Sequence, residues 1–475
     1  MTSTDEPELP LEWAAYSQPL GVPHAPVGAV DVWYSHLRYQ EVEKVKQSIT
    51  FPDAEAGSLL SDSSAQLYGL TMKSVELFAG AGGLALGCDL AGFKPSIVAE
   101  WDRWACDTVR ENKASGYSVV RDWAVHEGDV RDVDWSAVTD IDLVSGGPPC
   151  QPFSTGGKAR AADDKRDMFP ATAEVIRQLQ PRAFIVENVR GLTRPAFANY
   201  FEYIQNRLTF PDMAAKPGEL WTEHHARLQV EMTTSRANAL EYKVVPTLVN
   251  AADYGVPQQR WRVFLVGFRS DVSAEWSFPG PTHSADSLVR DQWLTGEYWE
   301  RNNVSKAARP EPTARQLSRA QRIREGSVDA TGRPWRTVRE ALAGLPAPTV
   351  NGSRRYLNHV LQPGARQYPG HTGSPIDLPA KALKAGGHGV PGGENMALFP
   401  DGRVRYFTVR ESARLQTFPD RYELHGAWGE AMRQLGNAVP VRLAQIVAGS
   451  VRTHLELATL RDASKRGNRR SGLSA

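Results

Sequence analysis

The chain has 475 residues, 41% of them hydrophobic and 23% charged, which excludes wholesale disorder; at roughly 100–200 residues per domain it suits two to four domains. Lys and Arg total 55 against 54 Asp and Glu, and the resulting formal net charge of +1, taken alone, argues against a nucleic-acid partner. No run approaches the roughly 20 apolar residues of a membrane helix, and the start MTSTDEPELPLEW lacks a basic segment leading into an apolar core. The reading is a soluble, cytoplasmic protein without a membrane partner. Its three cysteines, Cys88, Cys106 and Cys150, are too few for a disulfide framework or a four-ligand zinc site, so no metal is expected.

Residues 1–72 read as an N-terminal extension with no diagnostic chemistry. From Lys73 short apolar runs alternate with helical spacing: SVELF, then LALGCDLAGF, SIVAE, WDRWACDTVREN, DIDLVSGG, TAEVIRQLQP and AFIVENV. Strands alternating with helices of about 10–15 residues predict an α/β fold built on a parallel sheet. Residues 197–243 look like an insertion, and YKVVPTLVN with RVFLVGF reads as a strand pair. Regular periodicity fades between about 281 and 400 and resumes at VRYFTVRESARLQTFPD. GNAVPVRLAQIVAGSVRTHLELATL reads as one final helix, and residues 461–475 as a basic, frayed tail. The expected division is 73–280 as a catalytic domain, 281–400 as a smaller irregular domain, and 401–460 as a segment returning to the first.

Gly80, Gly82 and Gly83 stand where a strand turns into a helix, which permits either close approach to a ligand or merely a tight connection. The run is not the G-x-G-x-x-G of dinucleotide enzymes. Glu100 ends the next strand, 20 residues after Gly80, the usual distance for a carboxylate that accepts ribose hydroxyls. Asp129, where the third strand should end, could accept from an adenine amino group; either acid could instead cap a helix. Three such features at successive strand ends point to a nucleoside cofactor.

Cys150, in DIDLVSGGPPCQPFS, follows two glycines and two prolines on a polar loop at the carboxyl end of a strand, where open α/β sheets place ligands. Cys88 and Cys106 lie in apolar helical runs and read as core. Glu187 ends the strand AFIVENV, a costly place for an unpartnered acid. Arg260 and Arg262 alternate into QQRWRVFLVG and share a strand face, turned either toward an anion or toward solvent.

In combination these segments resemble the DNA cytosine-5 methyltransferases of bacteria, in their usual order: ELFAGAGGL, Glu100–Trp101, GDV, GGPPCQPFS, ENV, QQRWRVFLVG, RESARLQTFPD and GNAVP. The resemblance implies a Rossmann-like S-adenosylmethionine-dependent methyltransferase sheet with a target-recognition domain at 281–400. It implies that Cys150 attacks carbon 6 of a flipped-out cytosine, that Glu187 holds or protonates N3, and that Arg260 and Arg262 support the target nucleotide. Phe78, Gly80, Gly82, Gly83, Leu84, Glu100, Trp101, Asp129, Val130, Pro148, Asn437 and Ala438 would bind S-adenosylmethionine. The loop 151–166 reads as a lid whose Gln151, Ser154, Lys158, Arg160 and Arg166 meet double-stranded DNA. Its RDMF replaces the Arg-x-x-Leu-Phe usual in the family, which leaves the loop length open. A monomer with a cognate restriction endonuclease as partner is expected. The rivals are an RNA methyltransferase of the same family, a nicotinamide-dependent oxidoreductase that would leave Cys150 and Glu187 idle, and a non-catalytic relic. Residues 309–339 carry eight arginines against three acids, a composition suited to phosphate and guanine.

Overall fold

The computed structural model describes residues 71–149, 167–232, 239–385 and 395–471. All of them lie within one compact unit, Ser63–Ala475. Cys150 and the lid residues Gln151, Ser154, Lys158, Arg160 and Arg166 fall outside the described residues, as does the N-terminal extension up to residue 70. No helix among the described residues is long and apolar enough to cross a membrane.

Seven strands make the central sheet: β1 Met72–Leu77, β2 Phe93–Glu100, β3 Val125–Glu127, β4 Leu143–Gly146, β5 Ala183–Val189, β6 Tyr242–Asn250 and, after a two-residue β7 (Gln258–Gln259), β8 Trp261–Arg269. Their order is β3-β2-β1-β4-β5-β8-β6. The first five pair in parallel, whereas β8 is antiparallel to both of its neighbours. The expected α/β sheet is present, and the predicted strand pair is its antiparallel part.

The strands are apolar almost throughout because helices cover both faces. On one face Val144, Val186 and Val263 pack with Phe169 and Ile176 of α3 (Phe169–Leu179) and Tyr203 and Ile204 of α4 (Ala198–Thr209). On the other, Leu143, Ile185 and Phe264 pack with Leu84 and Cys88 of α1 (Gly83–Leu90) and Leu443 and Val447 of the last helix. Between them α2 (Arg103–Ala114) starts at Asp102, whose side chain accepts from the Ala105 N–H at 3.0 Å. The 197–243 stretch is no appendage, since α4 and α5 (Trp221–Met232) bury Tyr203, Leu208 and Leu228 in the first of these cores.

Residues 281–385 carry short elements: β9 His283–Ser284, α6 Ala285–Arg290, α7 Glu297–Arg301, α8 Ala314–Arg324, β10 Arg333–Pro334, α9 Val338–Leu342, β11 Ser374–Pro375 and β12 Ala380–Lys381. Leu288, Tyr298, Trp299 and Val304, backed by Trp293 and Trp335, make a small core, while Val338, Ile376 and Ala380 make another with Phe407 and Leu415 of the return segment. After β13 (Met396–Leu398) and β14 (Val404–Tyr406) come α10 (Val409–Leu415), α11 (Trp428–Asn437) and α12 (Val441–Ser471). Two sequence expectations are corrected here. The final helix does not begin at Gly436: α11 ends at Asn437, and the chain is extended at Ala438 before α12 starts behind Pro440, which has no N–H to continue a helix. The basic tail is helical as far as Ser471.

Glu76, on β1, is wholly enclosed. Ser74 Oγ donates to one carboxylate oxygen at 2.7 Å, Ser145 Oγ donates to the other, and Cys88 Sγ lies 3.7 Å from Ser145 Oγ. Burial pushes the Glu76 carboxyl up to about 7 from 4.5, against the pull of the two serine hydroxyls. The folded chain thus holds this proton more tightly than the unfolded one. The stability it confers is complete below about pH 4.5 and lost as pH rises through about 7, a swing on the order of 3 kcal/mol. Glu76→Gln, which cannot ionise, is expected to gain melting temperature over the wild type progressively from pH 5 to pH 8. A pH-independent difference in melting temperature would contradict this.

Candidate active site

Glu100 sits at the end of β2 and organises the turn after β1. Its Oε2 accepts the Gly80 N–H at 2.7 Å, and its Oε1 accepts the N–H groups of Trp101 and Asp102 at 2.9 and 2.8 Å. Burial nevertheless holds its carboxyl above the usual range, with those N–H donors opposing. With three donors taken, Oε2 keeps a lone pair for a further donor such as a ribose hydroxyl. Beside it Gly80 has φ +54°, and a Cβ there would meet nothing within 4 Å. Phe78 just before it is also left-handed, at φ 52°, a strained conformation for an aromatic residue. Trp101 is 75% exposed, so a ring face is free for stacking. Open space over Gly80, an oxygen with spare capacity and a bare indole together fit a nucleoside.

The other glycines of the turn serve the protein itself. A Cβ on Gly83 would stand 2.4 Å from the Val439 carbonyl oxygen, and one on Gly87 would stand 2.3 Å from Ala444 Cβ. Only with hydrogen at these positions does α1 press against α12. Tyr422 OH donates to the Ala81 carbonyl at 2.9 Å, and Arg433 Nη2 lies 2.8 Å from Asp102. The return segment therefore braces the glycine turn from behind. Leu84, Val130, Pro148 and Ala438 are buried, while Asn437 is exposed at the end of α11. Asp129 is already engaged: it accepts from the Arg131 N–H at 2.9 Å and from that guanidinium at 2.9 and 2.5 Å, which holds its carboxyl below the usual range. The capping alternative is thus what its side chain does.

The second cluster lies where β4, β5 and β8 meet. Register opposes Gly146 to Val186 on one side of β5, and Val189 to Arg262 on the other. Glu187 is buried, with Arg262 Nε 2.6 Å from its Oε1. Apart from that contact, Oε1 has no hydrogen-bond partner among the described residues. Burial raises the Glu187 carboxyl, opposed by Arg262 and then Arg260. A Cβ on Gly147 would come within 3.1 Å of Glu187 Oε2, so a side chain there would crowd the carboxylate from the segment leading to Cys150. Asn188 Nδ2 donates to the Pro148 carbonyl at 3.1 Å, tying the end of β5 to the same segment. Sequence reasoning missed Asn188; an amide closing an otherwise apolar strand was the available signal.

The two arginines share a strand face but not a task. Arg260 is fully buried and donates to the carbonyls of Leu383 and Gly436 at 3.1 and 2.7 Å. Burial and then Arg262 push its guanidinium well below the ordinary arginine value. It joins the sheet to the segment before residue 386 and to the end of α11, leaving only Arg262 on the carboxylate. Gln258 and Gln416, also missed, add to this seam: Gln258 Oε1 accepts the Leu383 N–H at 2.9 Å, and Gln258 Nε2 donates to Gln416 Oε1 at 3.2 Å.

The arginines of 309–339 divide as well. Arg319 pairs with Asp286 at 2.5 Å, Arg339 with Asp377 at 2.6 Å, and Arg309 lies over the Trp299 ring. Arg315, Arg322, Arg324, Arg333 and Arg336 are exposed and have no carboxylate within 4 Å among the described residues. Part of the basic composition thus holds the small core together, and the remainder faces outward.

The family described as C-5 cytosine-specific DNA methylase matches residues 72–211 and 220–453. Among the similar proteins is the Type II methyltransferase M.PspPI of Psychrobacter sp., 30% identical over 385 residues, covering 79% of this chain and 78% of that protein. M.NgoMIV of Neisseria gonorrhoeae is 29% identical over 390 residues, covering 80% and 96%. M.Eco47II of Escherichia coli is 29% identical over 384 residues, covering 79% and 78%.

The two kinds of glycine in the turn are separable by measurement. Gly80→Ala meets open space but keeps a positive φ, at an expected loss of about 1 kcal/mol. Gly83→Ala must push back the Val439 carbonyl and is expected to cost more, about 1–3 kcal/mol. Urea midpoints of the two variants compare them; an equal or reversed order would contradict the packing role of Gly83.

Proposed function

The chain belongs to the C-5 cytosine-specific DNA methylase family, and on that premise we propose that Cys150 is its nucleophile and Glu187 the acid that serves the target ring. As a member the protein is a sequence-specific DNA cytosine-5 methyltransferase with S-adenosylmethionine as donor. The observation that carries the residue assignment is Glu187: a buried carboxylate ion-paired to Arg262 and lying close against the Gly147 segment that leads into Cys150.

Carbon 6 of cytosine is inaccessible in a stacked duplex, so the base is everted before reaction. The Cys150 thiolate adds to carbon 6, and the electron pair of the 5,6 double bond moves onto carbon 5. Glu187 supplies a proton to N3, so the ring need not carry the charge. Arg262 orients the carboxyl, while burial keeps it protonated to higher pH than a free glutamic acid. S-adenosylmethionine would supply the electrophilic methyl group for carbon 5; Glu100, Gly80 and Trp101 would hold its nucleoside, with Phe78, Gly82, Gly83, Leu84, Asp129, Val130, Pro148, Asn437 and Ala438 around them. Loss of the carbon-5 proton to a base, cleavage of the carbon 6–sulfur bond and return of the N3 proton to Glu187 then restore the ring and release the Cys150 thiolate. Arg260 acts from behind, as a tie between strand and return segment.

Residues 73–280 and 401–460 would form the catalytic domain and 281–400 the target-recognition domain, with Gln151, Ser154, Lys158, Arg160 and Arg166 meeting the DNA. The Type II names of the relatives support a cognate restriction endonuclease as partner; a bacterial cytoplasm and action as a monomer belong to the same proposal.

Cys150→Ala is expected to eliminate methyl transfer while binding S-adenosylmethionine in calorimetry nearly as the wild type does; an active variant would overturn the nucleophile. Glu187→Gln is expected to lower kcat by about 10²–10⁴-fold. Since the proton-bearing form of Glu187 is lost as pH rises, wild-type kcat should fall on the alkaline side, and this limb should be absent from the glutamine variant. Expression in a host without cytosine methylation, followed by sequencing of methylated positions, reads activity and target together. Folded protein that leaves the genome unmethylated would contradict the assignment.

A further inference from the structure

At the carboxyl end of β5 stands an arginine whose charge the described protein leaves unanswered. Arg190 directly follows β5, and extension of the register in which Val189 faces Arg262 sets it opposite Trp261. Its guanidinium carbon lies 5.6 Å from the centre of the Trp261 ring. Arg190 is exposed and Trp261 is 40% exposed. Among the described residues no carboxylate lies within 4 Å of Arg190, in contrast with Arg262, Arg319 and Arg339. Stacking on an indole fixes the plane of a guanidinium yet uses none of its in-plane N–H donors, which are left as a fork open to solvent. A large aromatic side chain held partly bare to support an unpaired cation is a surface arranged for an anion.

Its position names the anion. Arg190 is three residues beyond Glu187, roughly 10 Å along an extended strand and with its side chain on the opposite strand face, so the two flank the carboxyl end of β5, and Trp261 adjoins the Arg262 that pairs with Glu187. A nucleotide whose ring lies at Glu187 carries its backbone phosphates at about that remove. We propose that Arg190, planed by Trp261, is a positioning residue that grips a DNA backbone phosphate flanking the everted cytosine; this rests on the assignment of Glu187 to the target ring. The contact is bidentate, between the guanidinium fork and two non-bridging phosphate oxygens. It orients the strand at the mouth of the pocket without reading sequence.

The test is steady-state methyl transfer from tritiated S-adenosylmethionine to genomic DNA of a host without cytosine methylation, followed from about 50 to 200 mM salt. Arg190→Ala should raise KM for DNA about tenfold, lower kcat less than about threefold, and reduce the slope of log KM against log salt by about one. Arg190→Lys should keep the slope but recover only part of the KM, since an ammonium has charge without the fork. Trp261→Phe should behave as wild type, and Trp261→Ala should fall between wild type and Arg190→Ala. A wild-type KM and salt slope in Arg190→Ala would overturn the proposal, as would a loss confined to kcat or to melting temperature. Methyl transfer surviving in Cys150→Ala would instead sink the nucleophile while leaving the Arg190 slope as an independent readout.

Discussion

The carboxylate of Glu187 is cut off from water at the end of a strand, where an unpaired charge would be expensive. What makes the position tenable is the reversed direction of β8. Running antiparallel to β5, it brings its first residues to the carboxyl end of the sheet and so sets Arg262 on Glu187. The same nine-residue strand in the opposite sense would carry that arginine roughly 20 Å away, toward the other end of the strands. The antiparallel strand is thus what allows an acid of raised pKa, a cation to orient it and the segment leading to the nucleophile to meet at one point.

The same strand end governs the rest of the molecule through Arg260. Its bonds to the carbonyls of Leu383 and Gly436 fasten the irregular 281–385 region and the return segment to the sheet. The return segment in turn backs the glycine turn, through Tyr422 on Ala81 and the close approach of Val439 to Gly83. The Glu187 cluster and the Glu100 turn are therefore two parts of one packed assembly. A change at Gly83 or Arg260 should be felt at both.

Much of this was legible in the sequence because it is local. Apolar runs, the acids that end them and the glycines behind β1 name the sheet and its ligand end without any knowledge of partners. The order of GGPPCQPFS, ENV and QQRWRVFLVG was enough to foresee the chemistry. What could not be read depends on contacts remote in sequence. Gly83 looks like a ligand glycine, yet it is the Val439 carbonyl that forbids it a side chain. Arg260 and Arg262 are equivalent by spacing and are separated only by the backbone carbonyls that capture one of them. Asp129 offered two readings, and the engagement of its carboxylate by Arg131 two residues on depends on a side chain whose direction the sequence does not give. The net charge of +1 that spoke against nucleic acid averages over arginines spent inside the fold, such as Arg319 and Arg339, and others that face outward, such as Arg190, Arg333 and Arg336.

The central claim is a covalent bond between Cys150 and carbon 6 of a cytosine. Fluorine at carbon 5 cannot leave as a proton does, so turnover on 5-fluorocytosine should halt after methylation with the enzyme still attached. The measurement is intact-mass spectrometry of the active enzyme incubated with S-adenosylmethionine and a duplex bearing 5-fluorocytosine at its target, followed by peptide mapping. The account predicts a stable one-to-one protein–DNA adduct attached at Cys150. An enzyme that methylates the ordinary duplex but yields no adduct, or one attached at Cys88 or Cys106, would contradict it.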